Sequence, residues 1–216
     1  MSENQHHQHG HGHHHDQGWR AVVRYLRFSR SMWMSPVNQE VITRLDIRAG
    51  ERVLDIGAGM GPGSVLAIKT GAHVVAVDPM PFMRLVLRMR RLWQRGGHRM
   101  EVLDGAAEHI PEADGNLDAA WAVNAMHHWT DLDAAIGEVE RVLRRGGRLL
   151  LVDEDFDDPA HEDYERHRSR RDDPEFDHID PSEVGNKLAV AGFLVEEAGT
   201  TILAGQPAKL VRATKS

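Results

Sequence analysis

The chain has no cysteine, which removes disulfide frameworks, thiolate metal sites and thiol nucleophiles from consideration. It also lacks any apolar run long enough to cross a bilayer. No basic segment followed by an apolar one precedes the first strand, so a cytoplasmic location is the expectation. An excess of positive charge is missing as well: a formal net charge of -7 argues against a generic nucleic-acid binder, which needs clustered Lys and Arg facing phosphate. There is no internal repeat, and 216 residues suit one ordinary domain with a substantial core.

What is present begins with "MSENQHHQHGHGHHHDQG", residues 1–18, which holds seven of the fifteen histidines and has no periodicity. It reads as a disordered tail, native or an expression tag, that would capture Zn, Ni or Cu ions adventitiously because flexible imidazoles impose no geometry. Residues 19–48 form an expected cap segment. Its aromatic and Met cluster (Trp19, Tyr25, Phe28, Met32, Trp33) is suited to lining an adaptable pocket, and Val37, Val41, Ile42 and Leu45 fit one helical stripe.

From residue 52 strand and helix patterns alternate: "RVLDIG", "GSVLAIKTG", "AHVVAVD", "PFMRLVLRMRRLWQRGG", "HRMEVLDG", "NLDAAWAVNA", "TDLDAAIGEVERVLRRGG" and "RLLLVDEDF". In "PFMRLVLRMRRLWQRGG" the apolar positions Phe82, Leu85, Val86, Met89 and Leu92 share one face, predicting the buried side of an amphipathic helix. The surrounding Arg84, Arg88, Arg90, Arg91, Arg95 and Arg99 then read as solvated surface rather than an RNA-facing patch. In "TDLDAAIGEVERVL" Thr130 and Asp133 suggest a capping box, and Leu132, Ile136, Val139 and Leu143 a core stripe. Residues 153–183 hold fourteen acids and break the rhythm, as a solvated, lid-like region with a helix expected from Asp158-Pro159 and a Glu162–Arg166 pair. A helix and two strands follow. The fold class is therefore α/β, a doubly wound, mostly parallel seven-stranded sheet.

The first strand-to-helix turn, "DIGAGMGPG", lies where open parallel sheets place ligands, and its glycines permit positive φ and close approach of a ligand to the backbone. The dinucleotide pattern G-x-G-x-x-G fits badly because Pro62 stands where its third glycine belongs, and no Gly-Lys-Ser/Thr follows for a P-loop. Instead Asp55 precedes the glycines, where it would meet a cation, and Asp78 ends the second strand, where it would accept ribose hydroxyls. The expected ligand has a ribose and a cationic group and needs no phosphate.

"VLDIGAGMG", "VVAVDP", "DGAAEHIP", "AVNAMHHWTD" and "EVERVLRRGGRLLLVD", in that order and spacing, resemble the class I S-adenosylmethionine-dependent methyltransferases. The likeness is to the small-molecule group similar to ubiquinone-biosynthesis enzymes, over about residues 40–155. The resemblance implies that Asp55, Gly57, Gly59 and Gly61 hold the methionine part of the cofactor, Asp78 its ribose, and that Met80 covers the adenine. Where relatives place a polar residue after the glycine of "DGAAEHIP", this chain has Ala106, so backbone at Ala106 and Ala107, or Asp104, would meet the adenine edge. The product would be S-adenosylhomocysteine and the partner a small-molecule methyl acceptor, and the resemblance implies a Rossmann-like sheet with one antiparallel strand near the C-terminus.

The fourth strand ends in "NAMHHWTD", placing Asn124, His127 and His128 at the carboxyl edge beside the expected methyl donor. "HHWTD" is similar to the "HDWSD" segment of plant phenolic O-methyltransferases, whose first His is the general base; that position is His127 here. The alternative is that either histidine only hydrogen-bonds the helix start or shapes the pocket wall. The acids and histidines around His161, His167 and His178 have no compact ligand spacing, so no metal is assigned. Three rival readings remain: a non-catalytic cofactor- or metal-binding protein, a nicotinamide oxidoreductase disfavoured by Pro62, and a methyltransferase acting on nucleic acid, disfavoured because "NAMH" replaces the NPPY-type tetrapeptide.

Overall fold

The computed structural model describes residues 36–165 and 179–216. The His-rich tail, the aromatic cluster before Pro36, Arg166, His167 and His178 lie outside the described residues.

The strands are β1 (Arg52–Ile56), β2 (His73–Asp78), β3 (Met100–Asp104), β4 (Leu117–Val123), β5 (Leu143–Glu154), β6 (Phe193–Leu203) and β7 (Gln206–Lys215). They form one sheet in the order β3-β2-β1-β4-β5-β7-β6. Strands β1 to β5 pair in parallel, while β7 runs antiparallel to both β5 and β6. The order reverses between β1 and β4, which opens a crevice at the carboxyl edge of those two strands. The expected seven-stranded, mostly parallel sheet with one antiparallel strand is what forms.

The helices are α1 (Pro36–Arg44), α2 (Pro62–Thr70), α3 (Pro81–Trp93), α4 (Leu132–Val142) and α5 (Pro181–Val190). One core gathers Leu54, Ile56, Val75, Val77, Ile136, Val139 and Leu188 under α4 and α5. The other gathers Val53, Val41, Ile42, Ile68, Leu87 and Trp121 under α1, α2 and α3. This division follows from the pleat: Val53 and Asp55 point to one face of β1, Leu54 and Ile56 to the other. Strands β1, β2 and β4 are buried nearly throughout, as a sheet covered on two sides requires.

Proline opens α2, α3 and α5, where the missing amide hydrogen costs nothing, and Gly71 ends α2 in the left-handed region at φ +97°. Three local expectations are corrected. The N-cap of α4 is Asp131, accepting from the Ala134 amide at 2.9 Å, whereas Thr130 gives its amide and hydroxyl to Glu108. The first carboxylate after the turn is simply nearer the free amides. After β5, Asp158-Pro159 sits in successive turns, with Asp158 accepting from the Ala160 amide, and helical backbone starts only at Tyr164. That side-chain bond satisfies a local amide and gives the backbone an alternative to a helical start.

The third correction is the largest. Helix α3 buries Met83, Arg84, Leu87 and Arg90, not the stripe read from the sequence, and leaves Leu85, Met89, Leu92 and Trp93 exposed. Periodicity located the helix and inverted its faces. The physical reason lies in what the inner face meets, which is the polar backbone of the glycine loop.

Candidate active site

The glycine loop links β1 to α2. Gly57, Gly59 and Gly61 all have positive φ, at +67°, +54° and +77°. A Cβ on Gly57 would stand 2.7 Å from the Ala125 Cβ, and one on Gly61 would stand 2.5 Å from Leu87 Cδ2. Gly59 differs, because its nearest neighbour would be the Gly57 carbonyl at 4.0 Å. Packing thus excludes side chains at Gly57 and Gly61, while the space over Gly59 is open and available to a ligand.

Helix α3 holds this loop from behind. Arg90 Nη1 donates to the Met60 carbonyl at 2.7 Å, and Arg84 Nη1 donates to the Asp78 carbonyl at 2.9 Å. Arg84 also pairs with Asp104. Burial pushes the Arg90 guanidinium down to about 10, which leaves it charged at neutral pH. Two arginines expected on the surface therefore supply donors to carbonyls that the loop and the end of β2 cannot pair otherwise.

Asp78, at the end of β2, accepts from the Gly59 amide through Oδ2 and from the Met80 amide through Oδ1, both at 2.8 Å. Burial raises its pKa, opposed by those two amides and by Arg84. Each oxygen keeps a second lone pair, so the carboxylate can order the loop and still accept a hydroxyl. Register places Asp104 of β3 beside Asp78, and Asp104 keeps a solvent-exposed carboxylate. Met80 is half exposed at the start of α3. Beyond β3, Ala106 exchanges amide and carbonyl bonds with His109, and Ala107 is buried beside it. The Ala106 backbone is therefore engaged within its own turn. Helix α4 fixes that turn: Glu138 accepts from the Ile110 amide, and Arg141 donates to the Ile110 and Glu112 carbonyls.

Asp55 turns beneath α2 rather than outward. Its carboxylate is 4% exposed and accepts from the Ser64 hydroxyl at 2.6 Å. Its register partner across β4 is Trp121, whose indole lies on the same face. A Cβ on Gly63 would come within 2.7 Å of Trp121 Nε1 and 3.3 Å of Asp55 Oδ2, so the bare Gly63 lets the helix start sit on this cluster. Trp121 Nε1 is buried without a hydrogen bond of good geometry, yet its dipole, like the Ser64 hydroxyl and amide, favours the ionised carboxylate. Burial outweighs them and raises the pKa of Asp55 to about 7. Sequence reasoning anticipated a direct meeting with a ligand cation. The geometry shows Asp55 pinning the first turn of α2.

Across the crevice, at the end of β4, Asn124 adopts φ +52° and is locked to β5, donating from Nδ2 to Glu154 at 2.6 Å and accepting from the Glu154 amide at 2.7 Å. The next residues make a 3-10 turn, Met126–His128. Asp153, itself 4% exposed, caps that turn by accepting from the amides of Ala125, Met126 and His127. Its Oδ2 also lies 2.9 Å from His127 Nδ1. A proton on Nδ1 satisfies this contact and leaves Nε2 as the basic nitrogen. The His128 ring stands 4.0 Å from that of His127, and burial together with its neighbour lowers its pKa, with Asp153 opposing. Behind Glu154, His161 is 4% exposed. It accepts the Asp163 amide at Nδ1 and so donates from Nε2 to Glu154 at 3.3 Å.

The structure thus brings the glycine loop, Asp78, Met80, Asp104, Asn124 and His127 to one edge of the sheet. Reading the sequence missed Asp153, Glu154, Ser64, Arg84 and Arg90 as site-forming groups. "VDED" at a strand end offered a signal for the first two, since a β5 carboxyl edge neighbours the end of β4. Among the described residues no cluster of His, Asp and Glu has the geometry of a metal site.

A doubly wound sheet with a β7 hairpin beyond β5, a glycine turn and an acid ending β2 defines a class of proteins that bind nucleoside-bearing ligands at the switch point. The comparisons narrow it. Residues 54–151 match the family described as "Methyltransferase domain". The chain is 38% identical over 118 residues to Methyltransferase GfsG of Streptomyces halstedii, covering 54% of this chain and 42% of that protein. It is 45% identical over 113 residues to an uncharacterized methyltransferase of Mycobacterium tuberculosis, covering 52% of this chain and 44% of that one. The solved YcgJ protein from Bacillus subtilis superposes with a TM-score of 0.67 at 22% identity, covering 83% of this chain and 97% of that one. The matched segment spans less than half the length of these two curated relatives. Over residues 54–151 the chain is thus similar to methyltransferase domains, and its sheet has the fold of solved S-adenosylmethionine-dependent methyltransferases, one of which, from Aquifex aeolicus, superposes with a TM-score of 0.68 at 22% identity, covering 91% of this chain and 98% of that one.

The residues present fit S-adenosylmethionine. The open space over Gly59 and the Asp78 carboxylate beside it lie at the same crevice, and the acid offers an acceptor to ligand hydroxyls.

Proposed function

We propose that this protein transfers a methyl group from S-adenosylmethionine to a small-molecule acceptor, at oxygen, nitrogen or carbon, and releases S-adenosylhomocysteine. The observation that carries the reading is the Gly59 cradle coupled to Asp78 on a methyltransferase sheet. Asp78 would accept the ribose hydroxyls, Gly57, Gly59 and Gly61 would admit the methionine part, and Met80 and Asp104 would border the adenine together with Ala106 and Ala107. Asp55 would act on the cofactor through the loop it supports. When bound, the sulfonium supplies an activated methyl group whose bonding electrons return to sulfur on transfer.

The protein's own task is then to align an acceptor, exclude water and remove a proton where one must leave. His127 is the group we assign to proton removal from a hydroxyl acceptor. Asp153 holds Nδ1–H, so the Nε2 lone pair takes the proton while the acceptor oxygen bonds to carbon, and the carboxylate stabilises the imidazolium that results. His128, kept neutral by burial, would shape the wall and lend no positive charge. Asn124, locked to Glu154, sets the backbone from which His127 projects.

The test is methyl transfer from isotopically labelled S-adenosylmethionine to a panel of phenols, enols and amines across pH. Activity on a hydroxyl acceptor should fall by about a hundredfold or more in His127→Ala. Transfer that stays intact in that variant at every pH removes His127 from the chemistry, and absence of transfer to any acceptor class counts against the activity itself.

A further inference from the structure

The outer face of α3 carries Leu85, Met89, Leu92 and Trp93, exposed by 53%, 45%, 79% and 79%. Their spacing of four, seven and eight residues confines them to an arc of about 100°. Single exposed apolar residues are ordinary, but a continuous stripe of four large ones marks a contact surface.

Charge identifies the contact. Arg88, Arg91 and Arg95 are exposed on the same helix and just past its end, and none has an acidic partner among the described residues. Elsewhere among the described residues Arg44, Arg52, Arg141, Arg144 and Arg148 pair with carboxylates, so a cluster of three unpaired arginines on one helix stands apart. Between Pro79 and Met100 there is no acidic residue at all, in a chain of net charge -7. Local excess of positive charge beside an apolar stripe is the signature of a helix lying in the interface of an anionic bilayer. A nucleic acid would pair the arginines and leave Leu92 and Trp93 in water. A second copy of the chain would set these arginines against their own equivalents.

We propose that the outer face of α3 docks on an anionic phospholipid surface, with Leu85, Met89, Leu92 and Trp93 entering the boundary between headgroups and acyl chains and Arg88, Arg91 and Arg95 meeting lipid phosphates. The inner face of the same helix holds Asp78 and Met60 through Arg84 and Arg90. The docked helix therefore sets the cofactor crevice one helix diameter from the lipid. The proposal stands independently of the methyl-transfer reading.

The experiment is co-sedimentation of the full chain with vesicles of phosphatidylglycerol and phosphatidylcholine, compared with phosphatidylcholine alone. Binding to the anionic vesicles, reversed by salt, is expected. The double variant Leu92→Glu with Trp93→Glu should weaken it by about tenfold or more, and the triple variant Arg88→Gln, Arg91→Gln, Arg95→Gln should do the same. All these side chains are exposed, and unchanged melting temperatures confirm that the variants fold. Four results overturn the proposal: no sedimentation with anionic vesicles, sedimentation that both variants retain, a dimer that Trp93→Glu dissociates, or capture of an RNA oligonucleotide in preference to the vesicles.

Discussion

Helices α3 and α4 are both amphipathic, cover opposite faces of one sheet, and treat their apolar sides in opposite ways. Helix α4 turns Ala135, Ile136, Val139 and Val142 inward, as its period foretells. Helix α3 turns Arg84 and Arg90 inward beside Met83 and Leu87, and leaves its most apolar stripe in solvent. The difference lies beneath them. The α4 stripe rests on apolar side chains of β4 and β5, whereas α3 rests on the glycine loop and the end of β2, whose carbonyls at Met60 and Asp78 need donors. A buried carbonyl left unpaired costs about 1–3 kcal/mol, comparable with burying one aliphatic side chain. The polar demand of a site can therefore reverse a helix face that hydrophobic periodicity alone would set.

The comparison can be broken from either side. The largest loss belongs to α4: Ile136→Ala should destabilise the fold by about 3 kcal/mol, read from chemical denaturation, because the site is apolar and closely packed. Asp55 tests whether buried charge is tolerated generally on the loop side. Its folded pKa, about 7, exceeds the ordinary value of 3.8, so the folded state holds more protons than the unfolded one between those values. Between about pH 5 and about pH 8 stability should fall by on the order of 3 kcal/mol, levelling off above the folded pKa. Denaturation midpoints for the parent and Asp55→Asn at about pH 5 and about pH 8 check this: the variant should lose most of the slope.

Next comes Arg90→Met, which keeps the bulk and removes the donor to Met60. It should cost about 2 kcal/mol and weaken cofactor binding together with stability. Smallest is Leu92→Glu on the outer face of α3, expected to change stability by no more than about 0.5 kcal/mol. If Leu92→Glu cost as much as Ile136→Ala, the two helices would be burying their apolar faces alike and the contrast would fail.

The same contrast explains what the sequence made legible. The positions of the strands, the α4 stripe and the glycine turn follow from patterns that local sequence carries: apolar runs, Pro and Gly punctuation, and period. Asp78 was legible because a strand end beside a glycine loop has few other uses. Arg84 and Arg90 were not, since their partners are backbone carbonyls 6 and 30 residues away, and no side-chain pattern marks a carbonyl as needy. Asp55 was visible as an acid inside an apolar strand, but its direction depended on Gly63 admitting Trp121 and Ser64 to the same pocket. His127 stood out by motif, whereas Asp153 became apparent only when β5 paired with β4 and set its carboxylate under the Met126–His128 turn.

The cofactor reading rests on Asp78 and the loop it orders, and titration calorimetry tests it most directly. S-adenosylhomocysteine added to the parent protein should bind at a single site, and Asp78→Ala should weaken that binding by about tenfold or more while NAD produces no heat in either. A parent protein that binds NAD and not S-adenosylhomocysteine, or a variant that binds S-adenosylhomocysteine as tightly as the parent, would contradict the account.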